Sequence, residues 1–449
     1  MLACIATGLF PLCAQESSRR ALLLISIDGM RPDYVTQAAL HGLKIPHLLE
    51  MLREGAHASG VRGVLPTVTY PSHTTILTGV WPARHGIYLN TTFDPFDRNL
   101  GGWYWYSEDI HAPTLWEAAA HSGLKVGSVS WPVSVGAVGV RYLIPEYWRA
   151  STGDDLKLLR ALSSPGLLTQ LQKQLGPYVM GLEQALAGDR QRTRYAAAIL
   201  REKRPEFMTV HLAALDHFEH LTGPFSPESN AALEQIDGMV GDLESAMRAS
   251  YPRAAVCVVS DHGFTRTDHR LHLMVPFIEE GLITIDPKTA GWPAPRVLDW
   301  KATPWIDGGS AAIMLRDPND AATRQKVEQL LHKLAADRAN GIAGVMDQAA
   351  IAAHGGAPVA VFWVDMRPNY SIDHVVQGPV VTEAKVGGSH GYSPDHPELR
   401  ASFFILGPNM RKGLDLGEID MRSIAPTLAL YLNVPLPSAK LQPLPISEP

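Results

Sequence analysis

Four stretches of the chain are apolar almost without interruption, and acidic or turn-forming residues close each one. They are RALLLISID (20–28), PEFMTVHLAALD (205–216), AAVCVVSD (254–261) and ASFFILGP (401–408). A strand that alternates apolar and polar positions has one wet face, whereas a continuous apolar run has none. These runs therefore predict strands buried on both faces, as in a parallel sheet covered by helices. Between them, apolar positions recur at helical spacing in PTLWEAAAHSGL (113–124) and SNAALEQIDGMVGDLESAMRA (229–249). Strands alternating with helices predict an α/β fold with a central, mostly parallel sheet flanked by helices. Residues 150–200 read as an outer layer of polar helices, and DMRSIAPTLALYLN (420–433) as an amphipathic helix with an internal proline. The rhythm breaks over about 265–384, which holds Pro- and Gly-rich loops, a charged helix (320–339) and one short strand, AVFWVDM (360–366). That stretch predicts a smaller subdomain inserted over the strand ends, within a single domain spanning 15–449.

Composition narrows the function classes more than the fold. The chain of 449 residues carries a formal net charge of -6, so it lacks the basic footprint of a nucleic-acid-binding surface. No apolar segment reaches the roughly 18 residues of a membrane-spanning helix, so no transmembrane anchor is expected. The opening MLACIATGLFPLCAQ reads as a signal peptide over residues 1–14, which implies a periplasmic or secreted protein. Cleavage there would leave Cys257 as the sole cysteine, with no intramolecular disulfide. Stability would then rest on core packing and bound metal.

The candidate chemistry gathers at the ends of the apolar runs. Asp28, Asp216 and Asp261 close three of them, and open α/β sheets bind ligands beyond the carboxyl ends of their strands. Capping of the next helix explains one such aspartate; three, two of them closely followed by a histidine, ask for a further reason. His220 follows Asp216 by four residues, a spacing that puts both on one helix face, within reach of one metal ion. In Asp261-His262-Gly263 a tight turn can bring both side chains to one ion. His390 stands among glycines in GGSHGY, which let the backbone pass close to a ligand and aim the imidazole inward. Thr69, in LPTVTYPSHTTILTG, precedes a helix-like run, so its hydroxyl is expected at a helix N-terminus where backbone N–H groups favour a phosphoryl anion. A threonine hydroxyl needs a base or a metal to become a nucleophile. Taken singly, each of these residues also has a plain structural reading as a cap, a loop residue or packing.

Read in order, SIDGMRPDY, PTVTYPSHTTILTGVWPARHGIYLN, PTLWEAA, SVSWP, HLAALDHFEHLTGP, VVSDHGF, GGSHGYSPDHPELRASFFILGPNM and IDMRSIAPTLALYLNVPLP resemble the alkaline phosphatase superfamily. The likeness is greatest to its nucleotide pyrophosphatase/phosphodiesterase branch and runs from about residue 21 to 436. The resemblance implies an alkaline-phosphatase-like fold with two zinc ions. Asp28, Asp261, His262 and the Thr69 hydroxyl would hold one, and Asp216, His220 and His390 the other. It implies that Asn90, with the backbone N–H of Tyr70, binds a non-bridging phosphoryl oxygen. The reaction implied is hydrolysis of phosphodiester or pyrophosphate bonds in small nucleotide-like, aryl or alkyl esters, through a phosphothreonine at Thr69. A phosphomonoesterase or phosphonate hydrolase on the same scaffold is the alternative. A non-catalytic binder of phosphorylated ligands is the third reading, and the full ligand set argues against it. The branch usually has Phe-Pro-Asn-His after the nucleophile, and Tyr70-Pro71-Ser72-His73 here puts the substrate class in question. Tyr70, Tyr392 and the run Trp103-Tyr104-Trp105-Tyr106 are candidate aromatic platforms for a substrate, with core or loop packing the equal alternative and the favoured one for the run. His73, His211, His217, His269 and His272 are expected to be structural.

Overall fold

A computed structural model describes residues 20–99, 102–148, 153–178, 185–289 and 295–447. The signal peptide expected at 1–14 lies outside the described residues. Eight strands form the central sheet: β1 (Leu22–Ile27), β2 (Ala56–His57), β3 (Val126–Val129), β4 (Val140–Ile144), β5 (Phe207–Leu212), β6 (Ala255–Val259), β7 (Phe403–Leu406) and β8 (Leu414–Asp415). Their spatial order is β8-β2-β7-β6-β1-β5-β3-β4. All run parallel except β7, which pairs antiparallel with β6 and β2. The mostly parallel sheet thus follows the sequence expectation, and the fourth apolar run is its one reversed strand.

Both faces of β1 are dry, as its uninterrupted apolar run requires. Leu23, Ile25 and Ile27 pack into a cluster with helices α3 (Leu186–Lys203) and α5 (Pro227–Ser250), through Ile199, Leu233, Ile236 and Val240. Leu22 and Leu24 pack on the opposite face, against Ile76 and Leu77 of α1 (Thr69–Thr78), Trp116 of α2 (Leu115–His121) and Leu428 of α6 (Ile424–Leu432). Each such buried aliphatic side chain contributes roughly 1.5–3 kcal/mol, so the sheet is fixed from both sides. Local signals set the helix starts. Thr114 and Glu117 form a reciprocal capping box at α2, and Ser226 caps α5 just before Pro227.

The C-terminal helix departs from expectation. Rather than an amphipathic helix over 420–433, a 3-10 turn (Met421–Ser423) leads into α6, which is buried on nearly every side. Pro426 falls in its first turn, where a missing N–H leaves no helical bond unmade. The stretch after β6 builds its own sheets. Ala302–Asp307, Ser310–Leu315, Phe362–Met366 and Ile342–Asp347 make a four-stranded antiparallel sheet around a separate apolar cluster. Thr265–Leu271 is flanked by Asn369–Ile372 and Val381–Ser389 in a three-stranded sheet, and the last of these strands ends one residue before His390.

The three central strands β6, β1 and β5 lie side by side in register, Ile25 level with Val210 and Val258, so their carboxyl ends open at one place. The turn after β6 is held there by close backbone approach. Gly263 donates its N–H to the Leu399 carbonyl, and a Cβ on it would stand 2.3 Å from the Glu398 carbonyl oxygen. Gly263→Ala is therefore expected to destabilise the protein by about 2–3 kcal/mol through forced overpacking, read as a lower urea midpoint with unchanged slope. An unchanged midpoint would show that this backbone contact does not hold the turn.

Candidate metal centre

Each candidate residue stands where a strand ends or a helix begins. Asp28 follows β1 directly, Asp261 and His262 follow β6, and His390 follows Val381–Ser389. Asp216 is displaced from its expected place: β5 stops at Leu212, and Asp216 lies in the first turn of α4 (Ala214–Thr222) with His220 one turn further on. Thr69 is the first residue of α1, preceded by the extended Val68.

Asp28, Asp261 and His262 bring their ligand atoms within 4.8 Å of one another, and so do Asp216, His262 and His390. Asp216 Oδ1 is 3.5 Å from both His220 Nε2 and His390 Nε2. His262 Nε2 is 3.3 Å from Asp28 Oδ1 and 3.2 Å from Asp261 Oδ2, and Thr69 Oγ1 is 3.4 Å from the same nitrogen. The division into two sets implied by the resemblance is thus blurred at His262, which stands beside both groups. The His262 and His390 rings stack with centroids 3.7 Å apart.

The hydrogen-bond pattern is one that suits cations. Asp28 Oδ1, Asp216 Oδ1 and Asp261 Oδ2 are buried and accept no hydrogen bond. The three imidazoles all spend Nδ1 on backbone carbonyls: His262 on Gly263, His390 on Thr67 and His220 on Gly388, at 3.1–3.2 Å. A carbonyl only accepts, so each Nδ1 carries a hydrogen, and a neutral ring in that tautomer directs an Nε2 lone pair toward the carboxylate oxygens. Lone pairs facing lone pairs in a dry site repel unless a cation lies between them. Backbone carbonyls that fix the tautomer of a histidine ligand serve that arrangement.

Electrostatics agree. Burial, and then the charge of Asp261, push the carboxyl of Asp28 well above the usual carboxylate range. Burial opposes ionisation of Asp261 too, but His262 and His73 hold its pKa below that range. Burial and the neighbouring His262 and His220 push His390 well down, which keeps it neutral. Among the described residues, every ion pair to Asp28, Asp216 and Asp261 comes from a histidine.

Other residues support the cluster, and sequence reading had set some of them aside. His211, on β5, stands between two carboxylates, with Nε2 3.0 Å from Asp28 Oδ2 and Nδ1 2.8 Å from Glu146 Oε2. Both carboxylates accept, so both ring nitrogens donate. Although burial opposes the charge, Glu146 and Asp28 raise this histidine to about 10. Glu146 also accepts from the Tyr70 hydroxyl at 2.7 Å, so one buried chain joins the start of α1 to Asp28. A histidine inside an otherwise apolar run was the available signal for His211; Glu146, in an irregular segment, offered none. His73 lies beneath the site, between the Thr69 carbonyl and Ser26 Oγ, both at 2.8 Å. Asn90 accepts the Tyr70 N–H on Oδ1 at 2.9 Å and donates its own N–H to Asp307 at 3.0 Å.

Two expectations are corrected. The Tyr70 ring is fully buried, edge-on to Trp103 and Trp105, with its hydroxyl on Glu146. Tyr392 is fully buried as well, its hydroxyl donating to the Tyr370 carbonyl at 2.6 Å. Neither ring is open to stack on a substrate, because each completes the packing under the loop that carries it.

The fold matches that of murine ectonucleotide pyrophosphatase/phosphodiesterase 5, solved in an inactive form in complex with AMP. The TM-score is 0.65 at 20% identity, covering 93% of this chain and 96% of that one. The human family member 5 is 22% identical over 93% of this chain and 76% of its own length. Human ectonucleotide pyrophosphatase/phosphodiesterase family member 1 is 28% identical over 56% of this chain. The venom phosphodiesterase of Macrovipera lebetinus is 23% identical over 89%. Those two matches cover only 24% and 41% of the relatives' own lengths. Residues 22–393 carry the pattern of one family across most of the folded chain: the protein belongs to the type I phosphodiesterase/nucleotide pyrophosphatase family.

Proposed function

We propose that the protein hydrolyses phosphodiester or pyrophosphate bonds of small nucleotide-like, aryl or alkyl esters, with Thr69 as nucleophile and two zinc ions as cofactors. The observation that carries this reading is the convergence beside Thr69 of three buried, unbonded carboxylate oxygens with imidazole Nε2 atoms. Carboxylate and imidazole donors suit zinc. Asp28, Asp261 and His262 would hold one ion next to Thr69, and Asp216, His220 and His390 the second. When bound, such a pair supplies Lewis acidity that makes a nearby hydroxyl easier to deprotonate and neutralises charge on a leaving oxygen.

The chain's own residues account for the rest. The N-terminus of α1 places the Thr69 oxygen under a phosphoryl group whose charge the helix end favours. The Thr69 oxygen gives its proton to solvent and bonds to phosphorus, while the bond from phosphorus to the ester oxygen breaks on the opposite side and that oxygen leaves as an alcohol after taking a proton from solvent. Water then cleaves the phosphothreonine and restores the hydroxyl. The Asn90 side-chain amide N–H, and the Tyr70 N–H on exchanging its bond to Asn90 Oδ1, would donate to the phosphoryl oxygen as its charge grows. Among the described residues no Lys or Arg joins the ion pairs of the cluster, which favours a singly charged diester over a doubly charged monoester. The apolar opening at 1–14 and relatives named as ectoenzymes or venom enzymes support a place outside the cytoplasm, periplasmic or secreted. Among the described residues, no helix is long and apolar enough to cross a membrane.

Three outcomes are expected. The zinc-loaded protein should prefer an aryl phosphodiester to the matching monoester at least tenfold in kcat/KM, about 1.4 kcal/mol, and Thr69→Ala should lose this activity. A monoester preference of that size would place the protein with the phosphatases, and activity surviving in Thr69→Ala would sink the nucleophile. Dialysis against a chelator should remove activity and zinc together, and added zinc should restore both; metal-free turnover would contradict the proposed cofactor. His211→Ala strands two buried carboxylates, so unfolding free energy should fall by about 3–5 kcal/mol. A loss under 1 kcal/mol in chemical denaturation would mean that the chain from Tyr70 to Asp28 carries little weight.

A further inference from the structure

Asp307 ends the strand Ala302–Asp307 and enters the Gly308-Gly309 turn into Ser310–Leu315. That turn is fastened to the segment carrying His390. Gly309 donates its N–H to the His390 carbonyl at 2.7 Å, and Ser310 Oγ donates to the Gly391 carbonyl at 2.5 Å. The approach leaves no room for a side chain at Gly308, where a Cβ would stand 2.2 Å from the His390 oxygen. On its other side Asp307 Oδ2 accepts the Asn90 N–H at 3.0 Å, and Asn90 reaches the Tyr70 N–H in turn. The carboxylate is therefore pinned between the residue proposed to meet the phosphoryl oxygen and the segment that brings in His390.

Its surroundings are the open side of the site. The Asp28, Asp261 and His262 side chains are 6%, 0% and 0% exposed, whereas those of Asp216 and His220 are 20% and 43% exposed. Asp307 is itself only partly buried. The other site aspartates all belong to ligand groups and Asp307 belongs to neither, so its carboxylate would not be taken up as a ligand by cations bound there. A fixed negative charge repels a dianion about twice as strongly as a monoanion at the same distance.

We propose that Asp307 is a charge-selecting residue whose carboxylate disfavours doubly charged phosphomonoesters and so restricts the site to phosphorus centres bearing a single charge. Phosphodiesters and internal pyrophosphate linkages meet that condition. The inference rests on the phosphoesterase reading above and deepens it. Burial, partly offset by the Asn90 N–H, raises the Asp307 carboxyl to about 6, so it is ionised at pH 8.

Asp307→Asn tests it at pH 8, because an amide oxygen still accepts the Asn90 N–H while the charge is gone. The monoester-to-diester ratio of kcat/KM should rise three- to tenfold, about 0.7–1.4 kcal/mol. By calorimetry the variant should bind inorganic phosphate tighter by a similar factor, with dimethyl phosphate changed less than twofold. Asp307→Ala, which also loses the acceptor, should show the same shift in ratio together with a lower diester kcat/KM. If Asp307→Asn leaves the ratio and the phosphate Kd within twofold of wild type, Asp307 merely anchors Asn90 and the proposal fails. If the wild-type protein turns over neither ester, the phosphoesterase reading fails instead, and the two binding constants still decide whether the carboxylate selects by charge.

Discussion

Negative charge buried at the carboxyl ends of three neighbouring strands is the constraint around which the molecule is arranged. Asp28 and Asp261 emerge from β1 and β6 into a space almost closed to solvent, and Asp216 joins them from the first turn of α4. Carboxylates in such a place are costly unless paired or bound to a cation. The protein compensates part of that charge with its own groups. His211 donates to Asp28 from below, Gly29 gives its N–H to Asp261 at 3.1 Å, and His73 lies 3.6 Å from Asp261. The remaining lone pairs, three carboxylate oxygens and the Nε2 atoms opposite them, point at one another. A bound cation would turn that repulsion into coordination.

The supporting layer shows how rigidity is supplied. Three histidines are locked through Nδ1 to the carbonyls of Gly263, Thr67 and Gly388, each on a separate chain segment. The ring orientation is thereby set by backbone, which moves less than side chains do. The chain from Tyr70 through Glu146 and His211 to Asp28 couples the start of α1 to the first carboxylate. A shift of the Thr69 loop would disturb Asp28, and the reverse holds too. Satisfied buried networks of this kind specify one geometry, and half-satisfied ones are unstable.

The stretch after β6 contributes as much as the central sheet does. It delivers His390 on the strand Val381–Ser389 and Asp307 on a turn fastened to that histidine. The deep part of the site thus comes from the ends of β1 and β6 and from His390, and the more exposed part from Asp216 and His220 on α4. Reactive groups on the sheet side are nearly closed to solvent, while the His220 side remains open. That gradient gives a substrate one direction of approach.

The sequence by itself determined the frame. An uninterrupted apolar run asks for burial on every side, so β1, β5 and β6 and the acidic ends of β1 and β6 were legible from residue order, whereas Asp216 proved to lie beyond β5, in α4. The helix start at Thr69 was legible too, because its signals are local. Tertiary structure decided what depends on residues far apart in the chain. Nothing local marks Glu146 as the partner of Tyr70 and His211, 76 and 65 residues away, or Asp307 as the anchor of Asn90, 217 residues off. It also decided which aromatic rings face outward. Tyr70 and Tyr392 look like binding residues in sequence, but closing the core beneath their loops buries both. Periodicity reports how much of a segment is buried; which buried polar group meets which is settled only when distant segments pack and each donor must find an acceptor.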